Sequence, residues 1–342
     1  MRLKVALGSR PYDGPWGGGN RFVAALSEAL AEAGHEVAYN LRGSNLDIIL
    51  LTDPRVRSPN VCFGAGDIVR HRRFVNPRAV VIHRVNECDE RKQEKFINSR
   101  LLRANYCADA TVFVGEWLTR LPAWRDRLDK PWYVIRNGSD ERIFNSAGFV
   151  PWIGEGPLKL VTHHWGYHPM KGFDVYAALD RMLEDSKWRG RIEFTYIGNV
   201  PRQFTFRNAR YIAPLDGATL ATALKQHHAY CTGSINEPGG NHQNEGALCG
   251  LPLLYRNSGC LPEYCAGYGL MFHGPADLAG KIERLFADYQ SLVPKMAQYP
   301  HRAGRMCTEW IDLFERLSTQ RDVLVKARER NFLRALAAQY QY

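Results

Sequence analysis

Ala229-Tyr230-Cys231-Thr232-Gly233-Ser234-Ile235-Asn236-Glu237-Pro238-Gly239-Gly240-Asn241-His242-Gln243-Asn244-Glu245-Gly246-Ala247-Leu248-Cys249-Gly250-Leu251-Pro252 decides how the chain is read. Residues 229–232 form a short apolar run of the kind a fully buried strand shows. A glycine-rich loop carrying Glu237 follows. Glu245 then opens a short helix that Gly250 ends, and residues 251–255 supply the next strand. Strand, loop, helix, strand is the unit of a parallel sheet, whose ligands bind beyond the carboxyl ends of the strands. A carboxylate accepts paired hydrogen bonds from vicinal hydroxyls. Two glutamates flanking a glycine loop at a strand end therefore suit a sugar and a ribose. The spacing proves nothing by itself, because Glu28 and Glu36 are equally far apart in an ordinary helix–turn–strand.

The same rhythm runs outward from this stretch. Residues 158–162 and 192–197 read as strands, and 175–183, 218–226 and 276–286 as helices. Upstream, 3–7, 36–39, 47–51, 79–82 and 110–114 read as strands. Phe22, Val23, Leu26 and Leu30 recur at helical spacing before a stop at Gly34. Residues 145–157 hold three Gly and two Pro with little periodicity, which marks a linker. The reading is α/β, with one doubly wound half over 1–147, a second over 158–318, and a helical tail over 319–342. In that tail Phe332, Leu333, Leu336 and Tyr340 share one apolar face. It is expected to be core or domain interface rather than a membrane anchor.

Length and composition agree. A chain of 342 residues suggests two domains, and 45% hydrophobic with 23% charged residues is ordinary for a packed globular protein. No run approaches the ~20 apolar residues of a membrane span. The N-terminal apolar run is too short for a signal peptide. The eight cysteines form no CxxC pair and no zinc spacing, so reduced thiols, a cytoplasmic location and no metal are expected. The net charge of +10 asks for an anionic partner: nucleic acid, nucleotide phosphates or an acidic membrane face. No helix-turn-helix, zinc-finger or RNA-recognition pattern supports nucleic acid. The densest basic cluster is Arg70-His71-Arg72-Arg73, with Arg78 and Arg84 nearby. It reads either as a solvated loop or as a patch for peripheral contact with an anionic inner membrane face.

Three further stretches suit chemistry. Trp16-Gly17-Gly18-Gly19-Asn20 stands between a strand and an amphipathic helix, where backbone N–H groups can approach an anion. His83-Arg84-Val85-Asn86-Glu87 crowds polar residues after a buried run. His163-His164-Trp165-Gly166-Tyr167-His168-Pro169-Met170-Lys171-Gly172 takes the equivalent place in the second half, with Lys171 placed to meet a phosphate.

With these pieces in order, the chain resembles the family 4 retaining glycosyltransferases of GT-B fold. The resemblance rests on Glu237 and Glu245 with the small helix and Gly-Leu-Pro, and on the loop at Gly18 and Gly19. It also rests on Ile135-Arg136-Asn137-Gly138-Ser139-Asp140 with Phe144, on Lys171-Gly172 and Gly198-Asn199, and on Gly259-Cys260-Leu261-Pro262-Glu263. It implies two facing Rossmann-like domains with a cleft between them, and a C-terminal helix over 319–342 packing back on the first. It implies metal-independent transfer of a sugar from a nucleotide-diphosphate donor to a glycan or lipid-linked glycan, as in lipopolysaccharide and other polysaccharide biosynthesis. Glu245 would bind the ribose and Glu237 the transferred sugar. Lys171 would meet the diphosphate, His83 would stand near the sugar, and Gly18, Gly19, Gly198, Asn199, Gly239 and Gly240 would line the donor site. Gly166 stands where many members carry an Arg; His164, His168 or an Arg from the first domain would replace it. Other GT-B activities, an inverting transferase or a sugar-nucleotide epimerase, are the nearest rivals. A basic nucleic-acid-binding protein and a catalytically dead sugar-binding homologue are the more distant ones.

Overall fold

The structure, a computed structural model, describes residues 1–12, 17–54, 59–328 and 330–339; Trp16 and Tyr340 fall outside them. The chain divides into two compact units. The first is Met1–Asp89, Gln93–Asn137 and Ala303–Tyr342; the second is Glu90–Lys92 and Gly138–Arg302.

The first unit runs β1 (Lys4–Leu7), α1 (Gly18–Glu32), β2 (Glu36–Ala38), β3 (Ile48–Leu51), α2 (Ala65–Phe74), β4 (Val80–Val85), α3 (Ile97–Asn105), β5 (Ala110–Phe113) and β6 (Trp132–Val134). All pairings are parallel, in the order β2-β1-β3-β4-β5-β6. Successive strand residues face opposite layers. Val5, Leu7, Ile48, Leu50, Val80 and Ile82 pack on one side, and Ala6, Ile49, Leu51 and Val81 on the other. Being covered on both faces explains the unbroken apolar strands.

The second unit runs β7 (Leu158–His164), α4 (Phe173–Met182), β8 (Ile192–Gly198), β9 (Arg210–Ile212), α5 (Gly217–Leu224), β10 (Ala229–Thr232), α6 (His242–Leu248), β11 (Leu253–Arg256), α7 (Leu261–Cys265), β12 (Gly269–Phe272) and α8 (Pro275–Leu292). Its parallel order is β12-β11-β10-β7-β8-β9. The chain lays β8 and β9 to one side of β7, then crosses to lay β10, β11 and β12 on the other. The crevice at the carboxyl ends of β7 and β10 is thus a topological switch point, where open α/β sheets bind ligands.

The tail is helical but broken into α9 (Ala303–Thr319), α10 (Arg321–Lys326) and α11 (Phe332–Gln339). The return to the first unit begins at Ala303, not at 319 as the sequence suggested. Its cause is the buried face of α9. Met306, Cys307, Trp310, Leu313, Phe314 and Leu317 join the core under α1, with Trp310 edge-to-face on Phe22 at 5.5 Å. The segment read as a linker packs with the second unit. Trp152 rests on Phe286 and Tyr289 of α8.

Other expectations also change. Of the apolar face expected of the tail, Phe332 and Leu333 are not core, Leu336 is half-buried, and Tyr340 lies outside the described residues. Phe332 is 65% and Leu333 73% exposed, and it is Ala338 that α11 buries. The basic cluster lies on α2 rather than in a loop. His71 is buried and Arg72 donates to the Cys107 carbonyl at 2.6 Å, while Arg70 and Arg73 face outward. Arg84 is buried over the Phe22 ring, and Arg78 pairs with Asp322. The eight cysteines form no disulfide among the described residues, and seven of them are buried. Among the described residues no helix is long and apolar enough to cross a membrane.

Candidate functional site

Four segments of the second unit converge at its switch point. The first is the end of β7, which runs two residues further than its apolar core and carries His163 and His164 inside the strand. The second is the turn at Lys171. His168 caps it by accepting from the Met170 N–H at 3.2 Å, and Gly172 leaves it at φ +94°. A Cβ on Gly172 would stand 2.3 Å from the Gly233 carbonyl carbon, so only glycine brings the Lys171 turn this close to the end of β10. The third segment is the Glu237 loop and α6. The fourth is the stretch 90–92, which carries Arg91.

Lys171 Nζ lies 2.5 Å from Glu237 Oε2, and Arg91 approaches Glu237 Oε1 at 3.7 Å. Burial alone would raise the Glu237 carboxyl. Lys171 and then Arg91 outweigh burial and hold it well below the usual carboxylate range. Glu237 is held from behind as well. Its carbonyl accepts from the Cys260 N–H at 2.9 Å, and a Cβ on Gly259 would meet the Glu237 N at 2.5 Å. Asn236, just before it, takes a left-handed φ of +51° and donates from its side chain to the Glu90 carbonyl at 3.2 Å. The Glu90–Lys92 stretch is thereby tied to the same loop.

Glu245 stands in the first turn of α6, a helix buried along its whole length. Its Oε2 lies 2.7 Å from His163 Nε2, and the Tyr230 hydroxyl lies 3.2 Å from the other nitrogen of that ring. His164 Nε2 meets the Tyr176 hydroxyl at 2.5 Å, and its ring centroid is 4.7 Å from that of His242. His242 in turn meets Thr232 Oγ1 at 2.9 Å. Burial is the main reason that His164 and His242 sit well below the usual imidazole range; nearby Lys171 adds to the shift of both. Both rings are therefore neutral near pH 7. A neutral His164 brings no positive charge to the place of the missing arginine, and His168 uses its Nδ1 to cap the turn. The second positive charge at Glu237 is Arg91.

Gly198 and Asn199 support the same turn. A Cβ on Gly198, at φ +136°, would collide with the His164 carbonyl, and Asn199 Nδ2 donates to the Trp165 carbonyl at 2.7 Å. Gly240 accepts from Gln243 Nε2 at 2.6 Å and leaves no room for a Cβ beside His242. Glu237, Glu245, Lys171, Gly198, Asn199 and Gly240 thus belong to one connected cluster, and Gly239 stands in its loop.

Gly18, Gly19 and His83 belong to the first unit. Gly18 and Gly19 are not a loop but the first turn of α1, after an extended Gly17. His83 does not follow its strand; it lies inside β4, whose buried run continues to Val85. Its side chain has no exposed surface, and its Nδ1 lies 3.0 Å from Asn105 Oδ1. It is a core histidine, and burial lowers its pKa to about 4. Sequence reasoning missed Arg91, His242 and Tyr230 as members of the cluster. Only His242, inside the glycine-rich motif, gave a local signal.

No family model matches the chain, and no curated protein matches its sequence. Solved structures do match in three dimensions. A sucrose-phosphate synthase from Thermosynechococcus elongatus superposes with a TM-score of 0.62 at 15% identity, over 93% of this chain and all of that one. HepE from Anabaena, solved in complex with UDP-glucose, superposes at 0.64 and 12% identity over 92% of this chain and all of that one. AviGT4, a glycosyltransferase involved in avilamycin A biosynthesis, gives 0.63 and 17% over 93% and 98%. The fold is the GT-B fold of these proteins.

Proposed function

We propose that the protein is a retaining glycosyltransferase that takes a nucleotide-diphosphate sugar, works without a metal, and delivers the sugar to a glycan or lipid-linked glycan. The observation that carries this reading is the ion pair Lys171–Glu237, set beside Arg91 at the switch point of the second unit with Glu245 in the same cluster. Cations fixed at a strand end suit a diphosphate that gains charge as it leaves. Preorganised positive potential of this kind is a large term in catalysis. Glu237 keeps Lys171 and Arg91 in place until the diphosphate arrives. Its own oxygens then suit the hydroxyls of the transferred sugar. Glu245, fixed by His163, suits the vicinal hydroxyls of the ribose. The likeness in fold to HepE, solved with UDP-glucose, supports the donor class.

In the reaction the bond from the anomeric carbon to the phosphate oxygen breaks, and the electron pair leaves with the diphosphate. The acceptor hydroxyl attacks the oxocarbenium-like centre from the face the diphosphate vacates. Its proton passes to the departing phosphate oxygen, so no protein base is required. Lys171 and Arg91 stabilise the leaving anion.

The test is a thermal-shift and turnover screen of the purified protein with UDP-, GDP-, ADP- and CMP-sugars, with and without a chelator. The reading expects at least one diphosphate donor to stabilise and turn over, with chelator-insensitive rates. NMR is expected to show the donor's anomeric configuration in the product. An inverted product would sink retention, and a screen without any stabilising donor would sink the reading itself.

A further inference from the structure

The loop that joins β7 to the Lys171 turn leaves two aromatic side chains in water. Trp165 is 51% and Tyr167 62% exposed, and they flank Gly166. Tyr176, Tyr196 and Tyr230 of the same unit are, by contrast, buried with their hydroxyls bonded. Among the described residues of this unit, Tyr211 on the edge strand β9 is the other large aromatic left exposed. The backbone under Trp165 and Tyr167 is fixed. Asn199 Nδ2 holds the Trp165 carbonyl at 2.7 Å, and His168 caps the turn that follows. A Cβ on Gly166 would stand 3.6 Å from Lys171 Cε, so the lysine stem runs beside the residue between the two aromatics. The pair therefore borders the cation that faces Glu237.

Tryptophan and tyrosine each offer a flat apolar face with a polar tip. A pyranose ring has the complementary form. One of its faces presents C–H groups, which the electron-rich aromatic face attracts, and its rim carries hydroxyls for an indole N–H or a phenol O–H. An acyl chain would use the faces but gains nothing from Asn199, His168 and Lys171 beside them. Position then separates acceptor from donor. The sheet order is β10-β7-β8. Glu237 and Glu245 both follow β10, whereas Asn199, at the end of β8, ties Trp165 to the opposite flank of β7. A donor held between Glu245 and Glu237 lies on the β10 side. A ring that meets Trp165 from the β8 side belongs to another molecule.

We infer that Trp165 and Tyr167 form a platform that binds a sugar ring of the acceptor by its C–H face, and so select a saccharide as acceptor. The inference rests on the transferase reading for where the donor lies, and its test keeps the two apart.

Saturation-transfer difference NMR on the full chain tests the platform without turnover, using gluco-, manno- and galacto-configured trisaccharides with and without UDP. In at least one trisaccharide, the C–H protons on one face of a ring are expected to saturate most. Trp165→Ala and Tyr167→Ala are each expected to raise the Kd of that saccharide by ~10–100-fold, the range for withdrawing one large apolar side chain from burial. Trp165→Phe keeps an aromatic face and should recover most of the affinity. Melting of all three variants should match the parent, because both positions are exposed. Where a donor turns over, the alanine variants should raise the acceptor KM by the same factor and hold the donor KM. No binding of any trisaccharide overturns the inference, and so do alanine variants that bind as the parent does, even if donors turn over. A donor KM that rises as steeply as the acceptor KM also overturns it, by making the rings a contact to the donor. Saccharide binding that the alanine variants lose, with no donor turned over, supports the platform and sinks the transferase reading instead.

Discussion

The two units follow one plan, a six-stranded parallel sheet with a switch point, yet they furnish that point differently. In the second unit, the carboxyl ends of β7 and β10 hold a buried ion pair, a second cation and three imidazoles. In the first, the chain crosses between β1 and β3, where Ser9 and Thr52 share a hydrogen bond of 2.7 Å and Arg10 and Asp53 follow them in the chain. The nearby histidine, His83, is buried and neutral. The topology thus supplies a crevice in each unit, and the second unit builds its own around a buried ion pair. Holding an ionised carboxylate out of water is expensive unless cations stand against it. The second unit supplies those cations from two separate segments.

The largest expected effect breaks the ion pair. Lys171→Met should lower glycosyl transfer by ~10²–10³-fold, the range seen when one preorganised donor to a developing anion is removed. It also leaves Glu237 short of a partner in a buried site, so the melting temperature should fall. Adding Glu237→Gln removes the stranded charge. It should restore much of the stability and none of the activity. If Ser9→Ala with Thr52→Val lowers donor turnover as steeply, the contrast between the units is wrong.

Glu245→Ala comes next. A hydrogen bond to a charged group is worth ~1.5–3 kcal/mol, so the apparent donor affinity should weaken by ~10–100-fold. A nucleotide without the 2′- and 3′-hydroxyls should bind parent and variant alike. Unchanged donor affinity in the variant would remove Glu245 from the ribose role.

How much of this contrast was legible in the sequence depends on burial. The central strands were readable because parallel strands covered on both faces are apolar runs, as at 48–51 and 229–232. Three strands escaped, Trp132–Val134, Arg210–Ile212 and Gly269–Phe272, and all three are sheet edges whose residues are largely half-buried or exposed. Glu237, Glu245 and Lys171 were readable because each sits in a loop or first turn at a strand end. Arg91 was not, because nothing local to the turn at 89–91 marks it, and only the fold brings it to Glu237. His83 misled for the opposite reason. Polar residues following an apolar run suggested a strand end, but the strand continued and buried them.

That histidine gives a smaller, pH-dependent effect. Its pKa is about 4 folded against ~6.5 unfolded, so between those values the unfolded state binds more protons. Stability should therefore fall as pH drops from 6.5 towards 4 and level off below, by about 3 kcal/mol in all from this ring. His83→Gln should lower the acid slope of unfolding free energy by up to one proton across that window and leave the slope above pH 7 unchanged. His227, whose pKa burial also lowers to about 4, would keep part of the slope in the variant. An unaltered slope would mean that His83 is not neutral in the folded protein, and it would no longer stand in contrast to the charged groups of the second unit.

The smallest effect separates structural glycines from substrate-facing ones. Gly259 is held at φ +57° with Glu237 backbone 2.5 Å from where a Cβ would stand, so alanine there must move the Glu237 loop. Gly19 has nothing within 4 Å of that position and already lies in α1. Gly19→Ala should therefore leave the free protein as stable or raise its stability by ~0.5 kcal/mol, the gain from alanine over glycine in a helix. If the backbone at the start of α1 meets a phosphate or sugar, the same methyl group obstructs it, and donor turnover should fall while stability holds. A variant equal to the parent in both assays would leave α1 as scaffold. The charged crevice of the second unit would then carry donor recognition without the glycines of the first.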